Sequence, residues 1–179
     1  MSEKRELKVG MLGCGVVGSQ VARLLAADAG DFAARSGAKL TLAKVAVRDG
    51  KSTREHVPSN LITTDAKSVV TDPTIDIIIE VMGGLDPARE LLLSAIENGK
   101  AVITANKALL ASHGAALFEA ADKNGVDLYY EAAVGGAIPI LRPLRESIVG
   151  DHVQRVMGIV NGTTNYILTK MDEEGSDFA

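Results

Sequence analysis

The chain has 179 residues, a net charge of −4 and 46% hydrophobic residues, so it can form a packed core of one domain, or of one domain and part of a second. The negative balance gives no general attraction to nucleic acid or to anionic membranes, and no apolar run is long enough to span a bilayer. The single cysteine, Cys14, excludes an internal disulfide, and the N-terminal segment lacks the apolar core of a signal peptide. We therefore expect a cytoplasmic protein.

The first half of the chain alternates between short apolar runs and segments of helical periodicity. Apolar runs closed by glycine or turn residues are typical of buried strands, whereas apolar residues three or four positions apart indicate an amphipathic helix. The predicted elements are a strand at 7–12, a helix over 16–34 that stops at Gly37, a strand at 39–47, a loop at 50–60, and a short strand or turn followed by a short helix within 61–73.

The second half continues the same alternation. Its Ile-rich segment 75–83 is the most strand-like in the chain, and Asp86 followed by Pro87 has the pattern of an N-cap and a first helical residue. The predicted elements are a strand at 75–83, a helix that runs to about Asn98, a strand at 101–105, a helix over 113–124 ended by Gly125, a strand at 126–134, a helix near 138–148 and the start of a strand at 152–160.

This alternation predicts an α/β fold in which a doubly wound, mainly parallel sheet carries helices on both faces. We place this domain at residues 1–150, where about six strands are complete. Residues 151–179 are then expected to be the start of a second α+β domain that is incomplete. The acidic segment MDEEGSDFA at the end has little to bury, and we expect it to be a cut or frayed end.

The segment GCGVVG follows the first predicted strand directly and opens the first predicted helix. Its glycines, Gly13, Gly15 and Gly18, have the G-x-G-x-x-G spacing of a dinucleotide-binding loop. In such a loop the first glycine allows a tight turn, the second lets the backbone approach a pyrophosphate, and the third lets helix pack on strand. The alternative is a tight turn without a ligand. Cys14 lies between two of the glycines, where we expect a small packing residue, with a redox switch as the alternative.

Arg48 follows the second predicted strand, where an acidic residue would bind the ribose 2′-hydroxyl of NAD. An arginine there can instead pair with the 2′-phosphate of NADP, so we expect NADP to be preferred, with Lys51 as a helper. Asp49 is the next residue and could accept NAD, which keeps use of both cofactors open. The plainest alternative is a solvated Arg-Asp pair on a loop.

Lys107 lies just past the predicted strand 101–105. In open α/β sheets ligands bind at the carboxyl ends of the strands, so this position favours contact with cofactor or substrate over a solvated surface lysine. Its neighbour Asn106 is expected to cap the next helix rather than to orient the lysine.

Several segments resemble homoserine dehydrogenase, in order and from Leu7 to about Met171. They are VGMLGCGVVGSQVARLL, KVAVRD, IIEVMGG, VITANKALLA, YYEAAVGGAIPILRPLRE and GIVNGTTNYILTKM. TANKALLA, EAAVGGAIPI and NGTTNYIL are far more specific than the glycine loop, and their combination carries the resemblance.

The resemblance implies an NADP- or NAD-dependent oxidoreductase that interconverts L-homoserine and L-aspartate 4-semialdehyde, on the route to threonine and methionine. It also implies that Cys14, Val16 and Val17 contact the cofactor through their backbone. By the same resemblance, Gly83 faces the nicotinamide half of the cofactor, and Lys107 lies beside the nicotinamide and the substrate.

Members of this family carry a sodium ion on the matching segment 131–138. Transfer by position implies Glu131, Val134, Gly136 and Ile138 as its ligands, largely through carbonyl oxygens. Oxygen ligands suit a hard cation such as sodium.

The family's substrate-binding acids and its proton-donor lysine lie beyond the segment NGTTNYIL, outside these residues. The resemblance therefore implies a chain that binds cofactor but is catalytically incomplete. It also implies that the full-length enzyme acts on a small-molecule substrate and forms a homo-oligomer. Two alternatives remain open from the sequence. One is a non-catalytic Rossmann module that binds NADP, and the other is a different NADP-dependent semialdehyde or imino reductase.

Overall fold

The structure is a computed structural model that describes residues 5–50, 53–158 and 161–177. It divides into two compact units, Met1–Gly136 and Ala137–Ala179. The division falls 14 residues before the predicted boundary between residues 150 and 151. That boundary, which rests on the count of predicted strands, stays a prediction.

The first unit is built on a six-stranded sheet in which every paired neighbour is parallel. Its strand order is β3-β2-β1-β4-β5-β6, which confirms the doubly wound α/β fold. The strands are β1 (Arg5–Leu12), β2 (Ala38–Ala46), β3 (Ile62–Thr63), β4 (Ile77–Glu80), β5 (Ala101–Thr104) and β6 (Leu128–Tyr129). Because the strands are parallel, all their carboxyl ends meet at one edge of the sheet.

Two predicted strands, 75–83 and 126–134, are several residues shorter in the structure. Strand β4 covers only part of the predicted 75–83, because the loop after Glu80 turns away through two glycines with positive φ, Gly83 and Gly84. Strand β6 has one paired neighbour, β5, and the predicted strand 126–134 turns after Tyr129 into a 3₁₀ turn at Glu131–Ala133.

The helices of this unit are α1 (Val16–Ala27), α2 (Ala29–Ser36), α3 (Ala66–Val70), α4 (Ala88–Glu97) and α5 (Lys107–Asn124). The single helix predicted over 16–34 is wrong, because Asp28 leaves helical geometry with φ −107° and ψ 19°. Aspartate and the nearby Gly30 both weaken a helix interior. The predicted stop is confirmed, since Gly37 ends α2 in the left-handed conformation with φ 73°.

The starts of α4 and α5 also differ from the prediction. Asp86 does not cap α4, because Pro87 is the N-cap residue and no side chain caps this helix. Helix α5 begins at Lys107, six residues before the predicted start. The predicted cap is confirmed, since Asn106 Oδ1 accepts a hydrogen bond from the Leu109 N–H at 3.1 Å.

Apolar residues are buried on both faces of the sheet. Met11 and Leu12 are neighbours in β1, so their side chains point to opposite faces. Leu12 belongs to a large cluster with residues of α3, α4 and α5, such as Leu92 and Leu117. Met11 belongs to a smaller cluster that includes Ala22 of α1. The helices thus cover both faces, as the alternation predicts.

The second unit contains α6 (Gly162–Glu174), whose N-cap Asn161 accepts a hydrogen bond from the Thr164 N–H at 2.9 Å. A π-helical turn at Pro143–Ser147 lies within the predicted helix 138–148. The predicted strand at 152–160 is wrong over 152–158, which has no regular secondary structure. A strand needs a neighbour for its backbone groups, and none of the described residues pairs with this segment. Residues 159 and 160 lie outside the described part.

Candidate functional site

The glycine loop lies where the strand order reverses, between β1 and β4, which is where dinucleotides bind in open α/β sheets. Gly13 has φ 96°, and its N–H donates to the Ala46 carbonyl at 2.9 Å. A Cβ at Gly13 would lie 2.8 Å from the Met82 Cα, so the turn packs directly against the loop after β4. The first glycine therefore serves both conformation and close backbone packing.

Gly15 and Gly18 differ sharply in their surroundings. A Cβ at Gly18 would lie 2.6 Å from the Gly13 carbonyl oxygen, so this position needs glycine for helix packing. A Cβ at Gly15 would have no heavy atom within 4 Å. Gly15 is the N-cap of α1, and Val16 and Val17 beside it are 86% and 56% exposed. The open space and the first-turn N–H groups of α1 together fit a phosphate group.

Cys14 points inward from this loop and packs with Met11 and Ala22. Burial raises the pKa of the Cys14 thiol, although the Arg54 guanidinium acts in the opposite direction. A thiol with a raised pKa is less reactive than a free cysteine, which favours the packing role over the redox switch.

Two arginines follow β2. Arg48 is exposed two residues after the last residue of β2, at the carboxyl edge of the sheet. Arg54 donates from Nη2 to the Asp49 carbonyl at 3.3 Å, and its buried Nε has no hydrogen-bond partner within the described ranges. Sequence reasoning missed Arg54, although its position on the same loop as Arg48 was an available signal. Lys51 lies outside the described residues.

Gly83 and Lys107 follow neighbouring strands at the same edge. Gly83 is exposed in the loop after β4 with φ 71°, and Lys107 is the exposed first residue of α5, directly after the β5 loop. A cation at a helix N-terminus opposes the helix dipole, so Lys107 costs the fold some stability. Proteins break such local stability rules mainly at functional sites, so the position of this cation supports a functional role for Lys107.

Glu80 is a second residue that sequence reasoning missed. It is the last residue of β4, its exposure is 0%, and it holds the backbone of Met82 and Gly83. In the sequence it looks like the polar end of an apolar run, and no local signal distinguishes it from a surface glutamate.

The residues of the implied sodium site lie in both units of the chain. Glu131 starts the 3₁₀ turn, and its carbonyl accepts a hydrogen bond from the Val134 N–H at 3.1 Å. Gly136 is the last residue of the first unit, and Ile138 is an exposed residue of the second. Across the residues that the structure describes, no group of three or more His, Cys, Asp or Glu side chains is placed to hold a metal ion. The carbonyl-based sodium site stays a prediction.

The strand order, the glycine loop at its reversal and the open N-terminus of α1 define a dinucleotide-binding domain of the Rossmann type. The sequence profile of the family "Homoserine dehydrogenase, NAD binding domain" matches residues 13–131, and the profile "Homoserine dehydrogenase" matches residues 139–179. The chain belongs to the homoserine dehydrogenase family, which confirms the resemblance.

Relatives named homoserine dehydrogenase support this assignment. The protein of Mycobacterium tuberculosis is 50% identical over 99% of this chain, and that of Corynebacterium glutamicum is 48% identical over 96%. The chain spans 40% and 38% of their respective lengths.

Solved structures of homoserine dehydrogenases also match this chain. A homoserine dehydrogenase from Thiobacillus denitrificans matches 96% of this chain and 40% of its own, with a TM-score of 0.86 and 42% identity. A hyperthermophilic archaeal homoserine dehydrogenase in complex with NADPH matches 96% of this chain and 58% of its own, with a TM-score of 0.78 and 25% identity.

Among the helices of the described residues, none has the length and apolar character to cross a bilayer.

Proposed function

We propose that this chain is the cofactor-binding part of an enzyme that interconverts L-homoserine and L-aspartate 4-semialdehyde with NADP or NAD. The observation that carries the proposal is the glycine loop at the strand-order reversal, in a chain whose residues 13–131 match the NAD-binding domain of this family. Since the chain spans about two fifths of its curated relatives, the reaction is proposed for the whole protein.

The glycine loop would hold the pyrophosphate of the cofactor. The N–H groups in the first turn of α1 lack helical partners and carry a partial positive charge, and Gly15 leaves room for a phosphate to approach the backbone. Cys14, Val16 and Val17 would make their contacts through backbone atoms, because Cys14 turns its side chain into the core. The bound nicotinamide would supply the hydride chemistry, while the chain binds and orients it.

Arg48 supports a preference for NADP over NAD. Its exposed guanidinium follows β2, where the ribose of the adenosine half binds in this fold, and a guanidinium can pair with a 2′-phosphate through two hydrogen bonds. Arg54 would add a second positive charge on the same loop.

Gly83 and Lys107 would serve the nicotinamide half of the cofactor. They follow β4 and β5, on the side of the crevice opposite to β2. We propose that Lys107 positions substrate and nicotinamide and contributes positive charge, while another lysine, outside this chain, donates the proton. On the strength of the family resemblance, we also propose a sodium ion at Glu131, Val134, Gly136 and Ile138 and a homo-oligomer at full length. The proposal of a cytoplasmic location rests instead on composition and on the single cysteine.

The cofactor proposal is tested by titrating the purified chain with NADPH and NADH and following the fluorescence of the reduced nicotinamide. We expect NADPH to bind more tightly, and absence of binding of both at millimolar concentration would contradict the proposal. The reaction is tested on a full-length protein with homoserine and NADP. Absence of homoserine-dependent reduction of NADP, with the cofactor bound, would favour the non-catalytic or other-reductase alternatives.

The NADP preference is tested with Arg48→Glu. We expect this variant to weaken NADPH binding much more than NADH binding. Arg35→Glu is the matched control, because it makes the same charge change on an exposed arginine. Arg35 lies at the end of α2, close to the amino end of β2, and therefore at the opposite edge of the sheet from Arg48. An equal loss for both cofactors in Arg48→Glu would remove the argument for NADP.

A further inference from the structure

Glu80 is a carboxylate at the end of a central strand with an exposure of 0%. Across the described residues no lysine, arginine or histidine forms an ion pair with it. Burial of a carboxylate away from a cation is costly unless hydrogen bonds replace the lost water. The hydrogen bonds of Glu80 therefore show what this residue does in the fold.

Both carboxylate oxygens of Glu80 accept hydrogen bonds from the carboxyl edge of the sheet. Oε1 accepts from the Met82 N–H at 2.8 Å and from the Gly83 N–H at 3.0 Å. Oε2 accepts from the Thr104 hydroxyl at 2.7 Å, and Thr104 is the register partner of Glu80 on β5. One side chain thus fixes the loop after β4 and joins it to the end of β5.

The connection continues to the start of α5. The Thr104 hydroxyl oxygen accepts from the Asn106 N–H at 3.0 Å. The Asn106 side chain donates to the Gly84 carbonyl at 2.7 Å and caps α5, whose first residue is Lys107. Glu80, Thr104 and Asn106 form a buried polar network that ties together the two loops carrying Gly83 and Lys107.

We propose that Glu80 is a positioning residue for the nicotinamide half of the cofactor site. The inference rests on the proposed function, because it assumes that a dinucleotide lies across the reversal between β1 and β4. The adenosine half then lies on the side of β2, and the loops after β4 and β5 face the other half. The network keeps these loops in one geometry before the cofactor arrives, which lowers the ordering cost of binding.

The test compares NADPH with 2′-phospho-ADP-ribose, which is the same molecule without its nicotinamide. Glu80→Gln keeps the shape of the side chain but turns an amide NH₂ toward the Thr104 hydroxyl, which then loses its acceptor. In this variant we expect NADPH to bind about tenfold more weakly. We expect the affinity for 2′-phospho-ADP-ribose to stay within about twofold of wild type. Glu97→Gln, on the exposed end of α4, is the matched control and should change neither affinity.

The pair Thr104→Val and Thr104→Ser keeps the inference testable if Glu80→Gln does not fold. Valine retains the shape but removes the hydroxyl, so Thr104→Val should weaken the binding of NADPH but not that of 2′-phospho-ADP-ribose. Serine retains the hydroxyl, so Thr104→Ser should bind NADPH as wild type does. An equal loss of affinity for both probes, or equal behaviour of valine and serine, would overturn the positioning role. A wild-type chain that binds neither probe would instead overturn the proposed function, and this inference with it.

Discussion

Replacing Gly13 and Gly15 by alanine separates the two tasks of the glycine loop, packing and ligand approach. At Gly13 an added Cβ would lie 2.8 Å from the Met82 Cα and 2.9 Å from the Val81 carbonyl carbon, and φ is 96°. Neither atom can move aside easily, because both belong to the backbone. The unfavourable φ costs about 1–2 kcal/mol and overpacking about 1–3 kcal/mol, so we expect a loss of about 3 kcal/mol in unfolding free energy.

Gly15 should behave in the opposite way. Its φ of −88° suits any residue, and no heavy atom lies within 4 Å of the added Cβ. Alanine is a poorer N-cap than glycine, but it also reduces the entropy of the unfolded chain. Because these two effects oppose each other, Gly15→Ala should leave the unfolding free energy within about 0.5 kcal/mol of wild type. The methyl group would occupy the space through which a phosphate approaches the backbone. We therefore expect Gly15→Ala to weaken NADPH binding at least tenfold, which corresponds to about 1.4 kcal/mol of binding free energy.

Thermal unfolding followed by circular dichroism, together with NADPH titration, measures both effects. For a chain of this length about 3 kcal/mol corresponds to a fall in Tm of about 10 °C for Gly13→Ala. The Tm of Gly15→Ala should remain close to that of wild type while its affinity falls. Equal changes in Tm for the two variants, or unchanged NADPH affinity in Gly15→Ala, would refute this reading of the loop.

Two further predictions concern single charged residues. Lys107→Ala should raise the unfolding free energy by about 0.5 kcal/mol, because it removes a cation from a helix N-terminus. The same variant should impair homoserine-dependent turnover in a full-length enzyme. A loss of Tm in parallel with the loss of turnover would contradict the positioning role of Lys107. Hydrogen bonds from the Thr74 N–H, the Lys44 ammonium and the Thr74 hydroxyl hold the pKa of Asp72 well below its usual value. Asp72→Asn should therefore lower stability at pH 7 by about 1 kcal/mol. Because the folded pKa is depressed, that difference is present above the unfolded pKa of about 3.9 and should vanish as the pH falls through the acid range, which Tm measured against pH tests.

Features that depend on short stretches of chain could be predicted from the sequence. The turn from β1 into α1 needs glycine at fixed spacing, Gly37 and Gly125 end helices in the left-handed conformation, and Asn106 caps α5 through its own side chain. Each of these follows from the backbone angles or hydrogen bonds of neighbouring residues. Together with the apolar alternation, they determined the fold class and the position of the glycine loop.

Only the tertiary structure decided where the strands β4 and β6 stop and which polar groups are buried. The length of β6 depends on its pairing with β5, its one paired neighbour among the described strands. Glu80 shows the limit most clearly. Its partners are the next loop and Thr104, 24 residues away, so its burial arises from strand pairing rather than from its neighbours in sequence. Pairing of distant strands brings these groups together and buries them in surroundings of low dielectric constant, where the hydrogen bonds of a carboxylate are strong. A pattern of neighbouring residues does not contain this information, so the role of Glu80 could not be predicted from the sequence.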